Sequence, residues 1–265
     1  MVITKPLAFA IHLTLSLLVF SSLVYVMYFW WFPGDLFFLD GGWQGLKLVA
    51  LIDLVLGPLL TLVLYSPGKK NLVFDMSAIA VFQLVALAYG FYTTHQQQTL
   101  AVVHSEGVFN TISRAAHLEA NAQLRALDVE PIHVATLSDT RPRMIYTEPP
   151  NKETLGQFLE DIFNGYPEPQ ERSDQYLPID SSLDQLREES KTVEAMVEDG
   201  TWEKVESRVN ALGKAPDEME YYPFRARYGR GIAIFDPNTL TITDYVAVKP
   251  TPKNITETAD AEPAD

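Results

Sequence analysis

The sequence predicts a membrane α-helical region of three transmembrane helices followed by a small α+β extracytoplasmic domain. Three observations predict it. From Pro6 to Gly34 there is no Asp, Glu, Lys or Arg. Two more apolar stretches follow before residue 95. Residues 1–94 carry Lys5, Lys47, Lys69 and Lys70 against Asp35, Asp40, Asp53 and Asp75, so residues 95–265 hold the whole net charge of -14. One chain is therefore written for two solvents.

The first span is expected over residues 7–31, after a short cytoplasmic N-terminus at 1–6. A bilayer crossing takes about 20 apolar residues, more than the h-region of a cleaved signal peptide. The stretch ends in Tyr28, Phe29, Trp30, Trp31 and Phe32, an aromatic belt of the kind found at membrane interfaces. The second span is expected over 46–65 and the third over 72–94, with Pro67, Gly68, Lys69 and Lys70 between them. Basic residues favour the cytoplasmic side of short loops. Lys5, Lys69 and Lys70 then place the N-terminus and that turn inside. The Phe32–Gly45 loop and the domain at 96–249 fall outside, as for a multi-pass bacterial inner-membrane protein with a periplasmic domain.

Asp53 falls within the second span, where a carboxylate costs about 2.5–3.5 kcal/mol and takes a partner. At 1.5 Å per residue it lies ~4 Å outward of the centre of that span. This depth points to Gln83 of the third span or to Ser21 and Ser22 of the first as partners, and not to His12. The carboxylate either glues the three helices or meets another protein's helix; three spans with one acid make a poor proton relay. Gly57-Pro58 predicts a kink, because proline frees the carbonyl of Leu54, and the glycine allows close helix approach.

Beyond residue 96, strands are expected over Leu100–His104 and Val108–Thr111, with a helix over Arg114–Leu127 that turns Leu118, Leu124 and Leu127 inward. Two more strands are expected over Ile132–Leu137 and Met144–Thr147. Asn151 caps a helix whose face is Leu155, Phe158, Leu159, Ile162 and Phe163. Tyr166 to Pro178 reads as a loop. Ser182-x-x-Gln185 opens an acidic helix to Glu198, and Trp202, Val205, Val209 and Leu212 line another. The domain closes with strands Arg225–Phe235 and Leu240–Val248, the first placing Arg225 and Arg227 on one face. A disordered acidic tail is expected over 250–265.

An acidic domain excludes nucleic acid, whose phosphates need clustered Lys and Arg. The absence of cysteine removes disulfides and thiol chemistry. His95, His104, His117 and His133 lack metal-ligand spacing, and no phosphate loop or nucleophile elbow is present. No catalytic, metal or cofactor site is read, and the chain is expected to work by binding rather than as an enzyme.

Motifs in the first part carry a resemblance. Asp40-Gly41-Gly42-Trp43-Gln44-Gly45 leads into Asp53-Leu-Val-Leu-Gly57-Pro58-Leu-Leu-Thr61. Pro67-Gly-Lys-Lys70 then precedes Gln83-Leu-Val-Ala-Leu-Ala-Tyr-Gly90. Over about residues 25–110 this series resembles type IV pilin accessory proteins of the TfpX/TfpZ kind. The resemblance implies an inner-membrane role in type IV pilus biogenesis, with a cognate type IV major pilin as partner beside the lipid bilayer, and other pilus assembly proteins in reach. It carries no catalytic residues. It marks Asp40, Gly41, Gly42, Trp43, Asp53, Gly57, Pro58 and Gln83 as partner-binding or structural positions, with a docking groove for the pilin helix expected at Gly57-Pro58. The competing class is a pilin-modifying transferase, for which Asp35, Asp40 and Trp43 would sit where a lipid-linked donor binds. A third is a sensor or scaffold of another envelope system.

Overall fold

The computed structural model describes residues 3–248; the expected tail at 250–265 lies outside the described residues. Three helices are long and apolar enough to cross a membrane: Lys5–Trp31, Gly42–Leu64 and Leu72–Gln96. At 1.5 Å per residue the shortest reaches ~35 Å, against a hydrocarbon core of about 30 Å.

The second span starts four residues earlier than its apolar run. A short helical turn, Leu36–Leu39, ends at Asp40, and Gly41 turns the chain with φ +111° so that the helix begins at once at Gly42. Only glycine takes that backbone conformation without strain. The early start corrects the expected depths. Asp53 is the middle residue of the 23 in its span, and Gln83 stands one residue from the middle of its 25. Ser16, two residues from the middle of the 27 in the first span, lies level with them, about one and a half turns before Ser21 and Ser22.

The irregularity expected at Gly57-Pro58 takes the form of a π-helical turn over Leu51–Leu56, in which the Gly57 amide donates to the Ile52 carbonyl, five residues back. A widened turn is one established cause of helix bending, and it contains Leu54, whose carbonyl the proline frees.

The domain holds a seven-stranded mixed sheet. Its strands are β1 (Thr99–Ser105), β2 (Val108–Ser113), β3 (Arg143–Thr147), β4 (Tyr176–Pro178), β5 (Glu220–Arg225), β6 (Arg230–Asp236) and β7 (Thr241–Ala247). The order across the sheet is β4-β3-β1-β2-β5-β6-β7, with β1–β3 and β2–β5 parallel and the other pairs antiparallel. Helix Arg114–Ala126, whose Ser113 hydroxyl caps the Ala116 amide, makes the crossover from β2 toward β3. Parallel neighbours need such a crossover.

Alternation along the strands divides the core. On one face Ala101, Val103, Ile112 and Ile145 pack with Tyr176. Farther along, Met196, Val205 and Val209 from helices Val193–Glu198 and Trp202–Ala211 cover Tyr221, Ile232 and Ile234. On the other face Val102, Phe109, Met144, Tyr146, Tyr222 and Phe235 join Leu186. That cluster runs without a break into Met27, Trp31, Phe32, Leu36 and Phe37 at the ends of the spans. Bundle and domain share one apolar core.

Several expected elements change. Ile132–Leu137 is not a strand: only a 3-10 turn forms, at Val134–Thr136. The strand expected over Arg225–Phe235 is broken by a turn at 226–229, so Arg225 pairs across with Arg230 and does not share a strand face with Arg227. The acidic helix divides into Leu183–Glu188 and Val193–Glu198. The loop at Tyr166–Pro178 supplies β4. Of the three leucines expected inward from the helix after β2, Leu124 is buried but Leu118 is exposed. Helix Leu155–Phe163 forms, yet Leu155, Leu159, Ile162 and Phe163 face outward. Its inner side is held instead by Asp161, which receives Arg172 Nη1 at 2.8 Å. The same guanidinium is also paired with Asp174 at 2.7 Å.

Candidate functional site

The motif residues fall into two groups, one at the joint between spans and sheet, the other at mid-bundle. At the joint the Asp40 side chain is only 1% exposed. Its Oδ2 accepts from Thr99 Oγ1 of β1 at 2.5 Å. Its Oδ1 accepts from Thr111 Oγ1 of β2 at 2.7 Å and from the Arg227 amide at 3.1 Å. One carboxylate thus ties the loop after the first span to two strands and to the β5–β6 turn. Hydrogen bonds to a charged acceptor are worth about 1.5–3 kcal/mol each.

The backbone completes the clasp. The Tyr228 amide donates to the Leu39 carbonyl at 2.9 Å, and the Ala226 amide to the Gly229 carbonyl at 2.8 Å. Side chains are excluded at the contact. A Cβ on Gly41 would stand 3.0 Å from the Tyr228 ring, and one on Gly229 would stand 2.5 Å from Leu39 Cδ2. A Cβ on Gly42 would meet Phe37 Cδ2 at 2.7 Å. Trp43 is the exception: it points outward beside Phe37 and Phe38, with Lys47 Nζ 5.1 Å from its ring centre.

A second clasp uses Arg208 of helix Trp202–Ala211, which reaches Asp35 at 3.1 Å and Asp244 at 2.8 Å. Burial, and then the neighbouring Asp244, push the Asp35 carboxyl up against the opposing pull of Arg208. Beside this clasp opens a groove of about 700 Å³ lined by Phe38, Leu39, Lys204, Tyr245 and Val246. It lies where the spans meet the domain, along β7, the last strand of the sheet.

At mid-bundle, Asp53 Oδ1 accepts from Gln83 Nε2 and from Ser16 Oγ, both at 3.3 Å. All three spans therefore meet at one carboxylate. Gln83 is the expected partner; Ser16 replaces Ser21 and Ser22 because of the early start of the second span. His12 bonds elsewhere, to Thr61 Oγ1 at 2.6 Å. Gly57 makes room for this contact: a Cβ there would fall 1.8 Å from Gln83 Nε2. Gly57 and Pro58 are buried within the bundle, which corrects the expected docking groove. The small residues are already used by the third span.

Sequence reasoning missed Thr99, Thr111 and Arg227. They stand 59, 71 and 187 positions from Asp40, beyond any local periodicity. Among the described residues no three His, Asp or Glu side chains gather as a metal site.

Comparison with known proteins gives the family. A fimbrial assembly protein of Dichelobacter nodosus, that of serogroup I, is 27% identical over 188 residues, 68% of this chain and 69% of the relative. The fimbrial assembly protein of serogroups C1 and C2 from the same organism is 37% identical over 95 residues, 35% of this chain and 72% of the relative. The chain belongs to the fimbrial assembly protein family. That of serogroup E1 is 36% identical over 95 residues, 37% of its own length. No family model and no solved structure matches the chain.

In this member of the fimbrial assembly family, the motif residues are largely structural. Asp40, Gly41 and Gly42 build the joint, while Asp53, Gly57 and Gln83 lock the bundle. A test follows from the closest approach. Gly57→Ala should push the Gln83 amide aside, break its bond to Asp53 and cost about 2 kcal/mol. The detergent-solubilised protein should melt lower, and Gln83→Ala in the same chain should recover part of the loss. An unchanged melting temperature for Gly57→Ala alone would contradict the packing.

Proposed function

We propose that the chain is an inner-membrane accessory protein of type IV pilus biogenesis that binds a cognate major pilin and catalyses no reaction. The N-terminus and the Lys69-Lys70 turn lie in the cytoplasm, and the sheet domain lies in the periplasm. The supporting family names concern fimbrial assembly, and the three apolar helices have the length of membrane spans.

The observation that carries the reading is the clasped joint. Asp40 and Arg208 hold the domain against the ends of the spans, so the groove between Phe38, Leu39 and β7 keeps its shape. A partner with one helix in lipid and a globular head outside would meet both halves there. Its apolar helix would run beside the spans, and its head would reach the groove wall at Lys204, Tyr245 and Val246.

A photo-crosslinking residue in place of Phe38 should trap pilin in piliated cells, and the same residue at Phe74, on the other end of the third span, should not trap the pilin head. Adducts from Phe38 to other proteins alone would reject the groove. Pilin from a deletion strain should keep its intact mass while surface pili fall in number. A mass change would favour the transferase reading.

A further inference from the structure

We propose that Arg114, Arg143 and the Nδ1–H of His117 form a binding site for a phosphate group at the span-facing edge of the domain. This inference rests on the membrane reading but not on pilin binding.

The site is placed by backbone contacts. The Arg114 amide donates to the Gln98 carbonyl at 3.0 Å, two residues beyond the end of the third span at Gln96. Arg143 opens β3 in register with Ala101 of β1, and strand alternation puts it on the face that carries Ile145, Ala101 and helix Arg114–Ala126. Both arginines therefore lie at the end of the sheet that meets the spans, at headgroup depth for helices of this length.

His117 lies one turn into the helix and is 7% exposed. Its hydrogen bonding defines its proton. The Ser173 hydroxyl donates to Asn121 Oδ1 at 2.6 Å, which leaves the Asn121 amide nitrogen to donate to His117 Nε2 at 3.1 Å. Nε2 is the acceptor, so the neutral ring carries its hydrogen on Nδ1, and that buried donor has no acceptor. A buried donor left unpaired is costly and marks a place where an acceptor is missing.

The surroundings are cationic. Arg114, Arg125, Arg143 and His133 are all near enough to His117 to hold its proton affinity down, after burial itself. The Nε atoms of Arg114 and Arg143 are buried without a partner. Among the described residues none of Arg114, Arg125 or Arg143 has a carboxylate within 4.0 Å. In a chain of net charge -14, these cations surround one buried ring whose Nδ1 has no acceptor. The N-terminus of a 13-residue helix adds its positive end at Arg114. Planar guanidinium forks with a further N–H donor suit phosphate oxygens. The phosphate could belong to an anionic lipid headgroup or be a free ion; the chemistry of recognition is the same.

Native mass spectrometry of the full chain in detergent, with phosphatidylglycerol or phosphatidylcholine added, tests the site. Retention of phosphatidylglycerol over phosphatidylcholine should fall by about 30-fold in Arg114→Gln/Arg143→Gln, from two interfacial charges removed. Arg114→Lys/Arg143→Lys should keep part of it, and Arg187→Gln, at a surface arginine paired with Glu220, should keep all. If inorganic phosphate is retained by the wild type, displaces the lipid and is lost in the Gln variant, the site takes the free ion. Retention of neither, or equal retention in the Gln variant at an unchanged melting temperature, overturns the proposal. None of these outcomes depends on whether Phe38 crosslinks to pilin.

Discussion

Asp40→Ala should free the sheet domain from the ends of the spans and lower stability by about 3–5 kcal/mol, from three lost hydrogen bonds to a charged acceptor and the buried donors left without one. The substitution takes away all three acceptor contacts at once and leaves the Thr99 hydroxyl buried. Asp40→Asn should be milder, by about 1–2 kcal/mol. Its remaining oxygen can still accept from Thr111 and the Arg227 amide, and its nitrogen can donate to Thr99. Limited trypsin digestion reads the difference directly. Arg227 sits in the β5–β6 turn with its amide held by Asp40, and cleavage after it requires that turn to leave the joint. The Ala variant should be cut there at least about tenfold faster, since local opening follows local stability. Equal digestion of wild type and Asp40→Ala would mean that the shared apolar core alone holds the two halves. If the groove beside the joint receives pilin, piliation should fall in the same order.

The second large effect is acid lability of the domain. His104 is fully buried between Tyr146, which stacks on it at 5.6 Å, and the edges of Phe109 and Tyr222. Burial pushes its proton affinity down to about 4 from 6.5. His117 is likewise held near about 4, by burial first and then by the cations around it. Both rings are neutral in the folded chain and protonate more readily when unfolded. The stability they confer is fully present above pH 6.5 and is lost as pH falls toward 4. At pH 5 each costs about 2 kcal/mol, because the unfolded ring is charged and the folded one is not. Urea unfolding of the detergent-solubilised protein, in phosphate-free buffer, should show the slope between pH 7 and pH 5. His104→Phe, which cannot be charged, should remove roughly half of it. A wild type equally stable at both pH values, or a His104→Phe slope matching it, would refute the assignment. A phosphate ion bound beside His117 would raise the affinity of that ring and flatten its share, which links this measurement to the proposed anion site.

Parts of this were legible in the sequence because they depend only on neighbours along the chain. The three apolar runs announce the spans, and their length needs no tertiary information. Strands β1, β2 and β3 and helix Arg114–Ala126 follow from alternation and helical spacing. The choice of Gln83 for Asp53 came from depth alone, since two helices of known length in one slab must match their middles. By the same depth Ser21 and Ser22 are expected beside Asp53, but Ser16 takes their place. The apolar run begins at Leu46, whereas Gly41 starts the helix at Gly42. A left-handed glycine changed the depth of every residue after it. The break of the Arg225–Phe235 strand was hidden in a similar way. Nothing in Ala226-Arg227-Tyr228-Gly229 is a strong local turn signal, but Asp40 and the Leu39 carbonyl seize the amides of Arg227 and Tyr228. The outward apolar face of helix Leu155–Phe163 shows the limit of periodicity: it reports that a face exists, and not which way it turns.

By itself the sequence determined where apolar length gives way to acidic charge. Apolar length sufficient to cross a bilayer and net charge are sums over residues, and sums need no fold. Only the tertiary structure decided what Asp40 and Asp53 do. A buried carboxylate takes whichever donors reach it within about 3 Å, and those donors come from Thr99, Thr111 and Arg227 in one case and from Ser16 and Gln83 in the other. They are distant along the chain, and the folding of the backbone is what brings them near.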